Sequence, residues 1–410
     1  MAETRPSPHI FISAGEASGD HYGAQIISEM RSRHPGAAFF GLGGKEMEAS
    51  GLDRIVRAED VAHMGITEVI RHMPRIYGEY RRLVASIKSR RPDAAILIDF
   101  PDVNLRLARE LRKLNIPVLY FVSPQLWAWK RKRLRWVQQR VDRMMVIFPF
   151  EEDFYRAREV DAAFVGHPLA QLSLPSSTRE EFASRHHLDP AKNWVALLPG
   201  SRRKEIQLNL PEMLGAAAAL NSSGEYEFIL PVASTVDASY LRSLFKDSQA
   251  KITLVEDARE ALHHARASVV ASGTATVQAT VIGNPFVVVY RVSPLTFAVA
   301  KQLIRYPSEI PAQIDEHGNL PIAMVNLIAG RRIVPELLQS QFTAVNVAKA
   351  LLPLLSDTPT RWRMVADLAE TGNRLRLSGT AGPIAQVSEA VEALLEQTSP
   401  ASGRISTGSV

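Results

Sequence analysis

Asp99 stands where a proton could be moved. It follows the unbroken apolar run Ala94-Ala-Ile-Leu-Ile98, the pattern of a buried strand, and a helical pattern resumes from Val103 to Leu114. A carboxylate delivered at the carboxyl end of a strand lies at the edge where ligands bind in open α/β sheets. Partial desolvation there raises its pKa towards neutrality, and a general base so tuned contributes about 10²–10⁴ in rate. Asp102, beside Pro101, is expected to cap the helix that follows.

A second chemistry is written into Trp194-Val-Ala-Leu-Leu-Pro-Gly-Ser-Arg-Arg-Lys-Glu-Ile206. An apolar strand breaks at Pro199-Gly200 and passes through Ser201 into a helix whose apolar positions are Ile206, Leu208, Leu210 and Leu214. The unpaired amides at such a helix start favour an anion by about 0.3–1 kcal/mol. Arg202, Arg203 and Lys204 oppose that dipole unless something strongly negative sits between them, such as a phosphate or diphosphate. A solvated basic turn is the alternative. Val269-Val-Ala-Ser-Gly-Thr-Ala-Thr276 repeats the junction with Ser272, Gly273 and Thr274, and two such junctions favour a diphosphate site. A third, Ala14-Gly-Glu-Ala-Ser-Gly-Asp20, follows the strand His9 to Ser13; Ser18 or Asp20 could cap its helix. Gly15, Gly19 and Gly23 are spaced by four, so this is not the dinucleotide fingerprint, and the phosphate-loop Gly-Lys-Ser/Thr signature is missing from the sequence.

Pro124-Gln-Leu-Trp-Ala-Trp-Lys-Arg-Lys-Arg-Leu-Arg-Trp136 interleaves aromatic and basic residues. Trp127, Trp129, Lys130 and Arg131 have the composition of a surface that rests in lipid headgroups, where each cation contributes about 1 kcal/mol. The same mixture suits single-stranded nucleic acid, or a basic helix with core tryptophans. Met64-Gly-Ile-Thr-Glu-Val-Ile70, with Met64 and Val69, could line a lipid groove, although core packing explains most of that helical face.

The elements that position these residues follow from length and pattern. At 410 residues the chain implies two domains. With 46% hydrophobic and 22% charged residues it is globular, and its net charge of +5 is a mild excess. It has no cysteine, which excludes disulfides, thiolate metal sites and a cysteine nucleophile and fits a reducing compartment. The charge-free run 267–290 is divided by Ser272-Gly273-Thr274 and Gly283-Asn284-Pro285 into strand, helix and strand rather than a membrane span. Strands at 37–42, 117–123, 144–148 and 163–165 complete an α/β unit over 1–171. Leu172 to Lys192 reads as a linker, and 193–344 as a second unit with strands at 226–231, 252–255 and 286–290. After these the pattern turns helical, at 324–330 and Pro335 to Gln339. Amphipathic helices over 345–397 are expected to pack on the first domain or on the partner subunit of a homodimer. A disordered tail, 398–410, follows. The polar start, Met1 to Pro8, lacks a secretion signal and implies a cytoplasmic protein.

In order along nearly the whole chain, Ala14-Gly-Glu-Ala-Ser-Gly-Asp20, Asp99-Phe-Pro-Asp-Val-Asn104, Pro124-Gln-Leu-Trp-Ala-Trp129, Gly166-His-Pro168, Leu198-Pro-Gly-Ser-Arg202, Ser272-Gly-Thr-Ala-Thr276 and Asn326-Leu-Ile-Ala-Gly330 resemble the motif series of the lipid-A-disaccharide synthases. The resemblance implies the GT-B fold, two doubly wound Rossmann-like parallel-sheet domains facing one another across a cleft. It implies transfer of 2,3-diacylglucosamine from UDP to 2,3-diacylglucosamine 1-phosphate with inversion, giving a β-1,6-linked disaccharide 1-phosphate and UDP. Asp99 would be the base, with Glu16, Ser18 and Gly19 facing the reaction centre. Gly200, Ser201, Arg202, Ser272, Gly273, Thr274, Gln278 and Asn326 would bind UDP, with no metal or other cofactor. Gln278 stands where the family has Glu, and Val325 where it has Pro, which bears on nucleotide affinity rather than reaction type. Acylated substrates imply attachment to the anionic inner face of the inner membrane and no role for nucleic acid. A UDP-sugar epimerase of the same fold, or a non-catalytic membrane- or nucleic-acid-binding protein, are the competing readings.

Overall fold

The computed structural model describes residues 7–60, 66–221, 225–233, 235–246, 248–377, 379 and 382–398. The chain forms two compact units, one of residues 1–168 with 377–410 and one of 169–376.

In the first unit, β1 (His9–Ala14), β2 (Ala38–Gly43), β3 (Leu52–Arg57), β4 (Ala94–Ile98), β5 (Val118–Phe121), β6 (Arg143–Val146) and β7 (Ala162–Phe164) form one sheet in the order β3-β2-β1-β4-β5-β6-β7. In the second, β8 (Asn193–Leu198), β9 (Tyr226–Pro231), β10 (Ile252–Val255), β11 (Ala267–Ala271), β12 (Phe286–Tyr290) and β13 (Glu336–Leu338) follow the order β10-β9-β8-β11-β12-β13. All pairings are parallel. A parallel sheet is covered by helices on both faces, so its central strands are apolar without alternation, as β4 and β5 are. In each sheet the order reverses beside the first strand, between β1 and β4 and between β8 and β11, and it is outside the carboxyl ends at such reversals that ligands bind.

Several expectations are corrected. Residues 336–338, read as helical, are the edge strand β13, with Val288 opposite Glu336; a stretch this short has too little periodicity to separate the two states. β3 was not anticipated, because its burial is interrupted at Asp53. The expected linker 172–192 contains the helix Arg179–His186, begun by a Thr178–Glu181 capping box and anchored by buried Phe182 beside Trp194. The C-terminal helices divide. Ala344–Leu355 and Pro359–Arg374 pack in the second unit, against Arg203–Leu220 and Thr274–Ile282 respectively. Pro383–Thr398 packs in the first unit against Ala17–Arg33, where Glu392 meets Arg33 at 3.2 Å and His34 at 2.8 Å. Among the described residues no helix is long and apolar enough to cross a membrane.

Candidate active site

In the first unit the site is built on the two strands that flank the order reversal. β1 ends at Ala14 and turns through Gly15 into the helix Ala17–Arg33, while β4 ends at Ile98 and turns through Asp99 and Phe100 into Pro101–Lys113. Asp99 and Phe100 have φ of 44° and 48°, consecutive left-handed residues neither of which is glycine, a conformation L side chains adopt only when their surroundings impose it. Three elements impose it here. The Asp99 carbonyl accepts the Tyr120 hydroxyl at 2.5 Å and the Asn104 amide at 2.8 Å. The same amide reaches the carbonyls of Ile98 at 3.0 Å and Ser13 at 3.3 Å, and its oxygen accepts the Ser13 hydroxyl at 2.7 Å. The Phe100 ring lies over Gly15, where a Cβ would come within 2.4 Å of it, so only glycine fits.

Burial, and after it the negative charge of Glu16, pushes the Asp99 carboxyl up to about 6, against the pull of the Phe100 N–H. Near neutral pH the group is therefore mostly ionised, yet basic enough to accept a proton. Burial and then the charge of Asp99 push neighbouring Tyr22 up to about 12. Glu16 and Ser18 are exposed at the start of their helix. Gly19, expected to face the reaction centre, is buried, and a Cβ there would lie 3.2 Å from that of Ala14, so glycine lets the helix sit close on the sheet. Asp20 caps a different helix, Lys45–Ala49, by accepting from the amides of Gly44, Glu46 and Met47 at 2.7, 3.1 and 3.2 Å. Asp102 does not cap: Phe100 holds the N-cap position and Asp102 pairs with Arg133.

The aromatic and basic segment divides in two. Trp127, expected at a lipid surface, is 2% exposed, and its indole N–H donates to Glu151 at 3.0 Å. Glu151 also accepts the Ser123 hydroxyl at 2.7 Å, and its burial pushes it up to about 7 despite these bonds. Trp129 is 47% exposed with the Lys130 ammonium 4.2 Å from its ring centre, and Arg131 is exposed beside them. Met64 and the side chain of Val69 lie outside the described residues. His167 of Gly166-His-Pro168 is buried near Phe148, its pKa pushed down to about 4 by burial, and it is neutral at pH 7.

In the second unit β8 turns through Pro199 to Arg202 into the helix Arg203–Leu220. Gly200 has φ 121°, and a Cβ there would lie 2.5 Å from the Glu205 carboxylate. That carboxylate fills the anion-favouring turn: it accepts from the Ser201 amide at 3.2 Å and from the Arg202 guanidinium at 3.2 Å. The Arg202 side chain is 70% exposed, whereas Arg203 stacks over Tyr240 at 4.7 Å. Thr235 donates to the Ser201 carbonyl at 2.6 Å and Asn209 to that of Pro199 at 2.9 Å, fixing the turn. On the neighbouring strand, β11 leads through Ser272 and Gly273 into Thr274–Ile282, with Gly273 and Thr274 exposed and Ser272 and Gln278 half-buried.

Asn326, expected on the nucleotide, is committed inside the fold. Its oxygen accepts the Ile333 and Val334 amides at 2.8 and 3.1 Å, and its nitrogen donates to the Val334 carbonyl at 3.0 Å and to Glu336 at 2.7 Å. Both protons of its amide nitrogen are thereby used. Glu336, its side chain fully buried, also accepts from the amides of Ile322 and Ala323 at 3.0 and 3.1 Å, just ahead of the helix Met324–Ala329. Sequence reasoning missed Glu205, Glu336, Asn104 and Tyr120. Only Glu205 had a local signal, its place three residues after the N-cap Arg202. Among the described residues no group of three or more His, Asp or Glu could hold a metal ion.

A family model described as lipid-A-disaccharide synthetase matches residues 10–377. The chain is 55% identical over 405 residues to a lipid-A-disaccharide synthase of Acidobacterium capsulatum, covering 95% of this chain and 97% of that protein. It is 49% identical over 374 residues to that of Koribacter versatilis, covering 90% and 94%. The solved glycotransferase of kitacinnamycin shares the fold at a TM-score of 0.60 and 14% identity, covering 95% of this chain and 100% of the other.

Proposed function

The chain belongs to the lipid-A-disaccharide synthase family and is a hexosyltransferase of lipid A disaccharide synthesis with the GT-B fold, acting on a UDP-sugar and a lipid A precursor, and from that premise we propose how its residues divide the work. Asp99 takes the proton of the 6-hydroxyl of 2,3-diacylglucosamine 1-phosphate as that oxygen attacks the anomeric carbon of UDP-2,3-diacylglucosamine. The carbon–oxygen bond to UDP breaks on the opposite face, so the configuration inverts and the electron pair passes to the β-phosphate. The amides after Gly200 and Gly273, with Arg202, hold the growing charge, a task fixed dipoles and a cation perform without reorganising. Glu205 gives up this turn when the diphosphate arrives. Ser272, Thr274 and half-buried Gln278 complete the nucleotide contacts, and exposed Glu16 and Ser18 border the acceptor.

One observation carries the reading: a carboxylate at the order reversal of its sheet, on a residue whose backbone carbonyl is fastened by Tyr120 and Asn104, with its pKa brought to about 6. The relatives do not favour the epimerase alternative. The test is incubation with both lipid substrates and mass spectrometry for UDP and a disaccharide phosphate. Asp99→Asn should lower turnover about 10²–10⁴-fold, to a small residual rate, while UDP still binds; near-normal turnover removes Asp99 from the mechanism.

Trp129, Lys130 and Arg131 rest on the anionic cytoplasmic face of the inner membrane, where the acyl chains of both substrates are anchored. A homodimer is part of the same reading, and light scattering of the purified chain tests it.

A further inference from the structure

We infer that Tyr120 and Asn104 are positioning residues for proton transfer: by fastening the carbonyl oxygen of Asp99 they fix the direction in which its carboxylate leaves the sheet edge. The inference rests on Asp99 being the base. Left to itself, a non-glycine pair at φ of 44° and 48° relaxes to extended or right-handed backbone, and that rotation swings the Cα–Cβ bond that carries the carboxylate. Two donors oppose it from different elements. Tyr120 comes from β5, where it stands opposite Leu97 of β4, and its hydroxyl meets the Asp99 carbonyl at 2.5 Å. Asn104 comes from the following helix and ties the same carbonyl to those of Ile98 and Ser13, so β1 and β4 are pinned to one amide. Both side chains are fully buried. Burial, and then the charge of Asp99, hold the Tyr120 phenol well above its usual range, so it remains a donor at every working pH. Its bond goes to the backbone, and it acts on the reaction only through Asp99.

The test is Tyr120→Phe, which removes one oxygen from a packed ring. We expect kcat to fall about 10–100-fold, the cost of a misaimed catalytic group, with KM for both substrates changed by less than about twofold and UDP binding intact. In an Asp99→Asn background the same substitution should leave the residual rate unchanged, because there is no base left to aim. Full kcat in Tyr120→Phe, whatever its melting temperature, overturns the inference, and so does a loss of rate that persists in the Asp99→Asn background. Asn104→Asp, which sets an acceptor against three carbonyls, should reproduce the kcat loss if it folds; Tyr120→Phe decides alone if it does not. Near-normal turnover in Asp99→Asn removes the base itself, whereas a severely slowed Asp99→Asn beside a fully active Tyr120→Phe removes only the positioning.

Discussion

Replacing Asp99 with Asn should slow transfer about 10²–10⁴-fold and also stabilise the protein, the second effect appearing only as pH rises. In the fold the Asp99 carboxyl stands at about 6 against an ordinary 3.8, chiefly because burial penalises its charged form. A carboxyl raised in this way opposes folding when ionised. The penalty is absent below about pH 4, where folded and unfolded chains both hold the proton, builds between 3.8 and 6, and is complete above 6. About two pH units at roughly 1.4 kcal/mol each give about 3 kcal/mol. Asn tolerates left-handed backbone as well as Asp does, so φ of 44° adds no new strain. For a unit of this size each kcal/mol moves Tm by about 2–4 °C, so the variant should melt roughly 6–12 °C higher at pH 8 and level with the parent at pH 4. Thermal unfolding of both proteins from pH 4 to 8 is the assay. A difference that does not vary with pH, or a variant less stable throughout, refutes the claim that Asp99 is held charged at a cost the reaction requires.

Other outcomes follow from the same geometry. The rate kcat/KM should fall about tenfold per pH unit below 6, as Asp99 takes up its proton; Glu16→Gln, by removing a charge that raises that pKa, should move this limb to lower pH, read from the pH–rate profile. Gly200→Ala brings a Cβ to 2.5 Å from the Glu205 carboxylate at a φ of 121° and should raise the Kd for UDP at least about tenfold, measured by calorimetry. Trp127→Phe leaves buried Glu151 without one donor and should cost about 1–3 kcal/mol in denaturant unfolding while sedimentation with anionic liposomes stays the same. Replacing Trp129, Lys130 and Arg131 together should do the reverse; unchanged sedimentation would exclude that surface.

The sequence by itself determined the parts whose cause is local. Buried parallel strands must be apolar on both faces, so β4, β8 and β11 stand out as runs, and the break after each locates Asp99, Gly200 and Gly273 within a residue or two. What depends on partners far along the chain was settled only by the tertiary structure. Trp127 and Trp129 are alike in a basic stretch, but Glu151, 24 residues from Trp127, draws one indole inward and leaves the other in solvent. Asp20 and Asp102 both look like caps of their own helices, yet one finds the amides of the next junction and the other finds Arg133. The bond from Asn326 to Glu336 closes only because Glu336 arrives on an edge strand too short to show its period. Tyr120 is one more apolar position in a strand until β5 lies beside β4 and its hydroxyl meets the Asp99 carbonyl. Periodicity reports burial, which each residue shares with its neighbours in sequence; the aim of a catalytic group depends on hydrogen bonds that close only when distant strands pair.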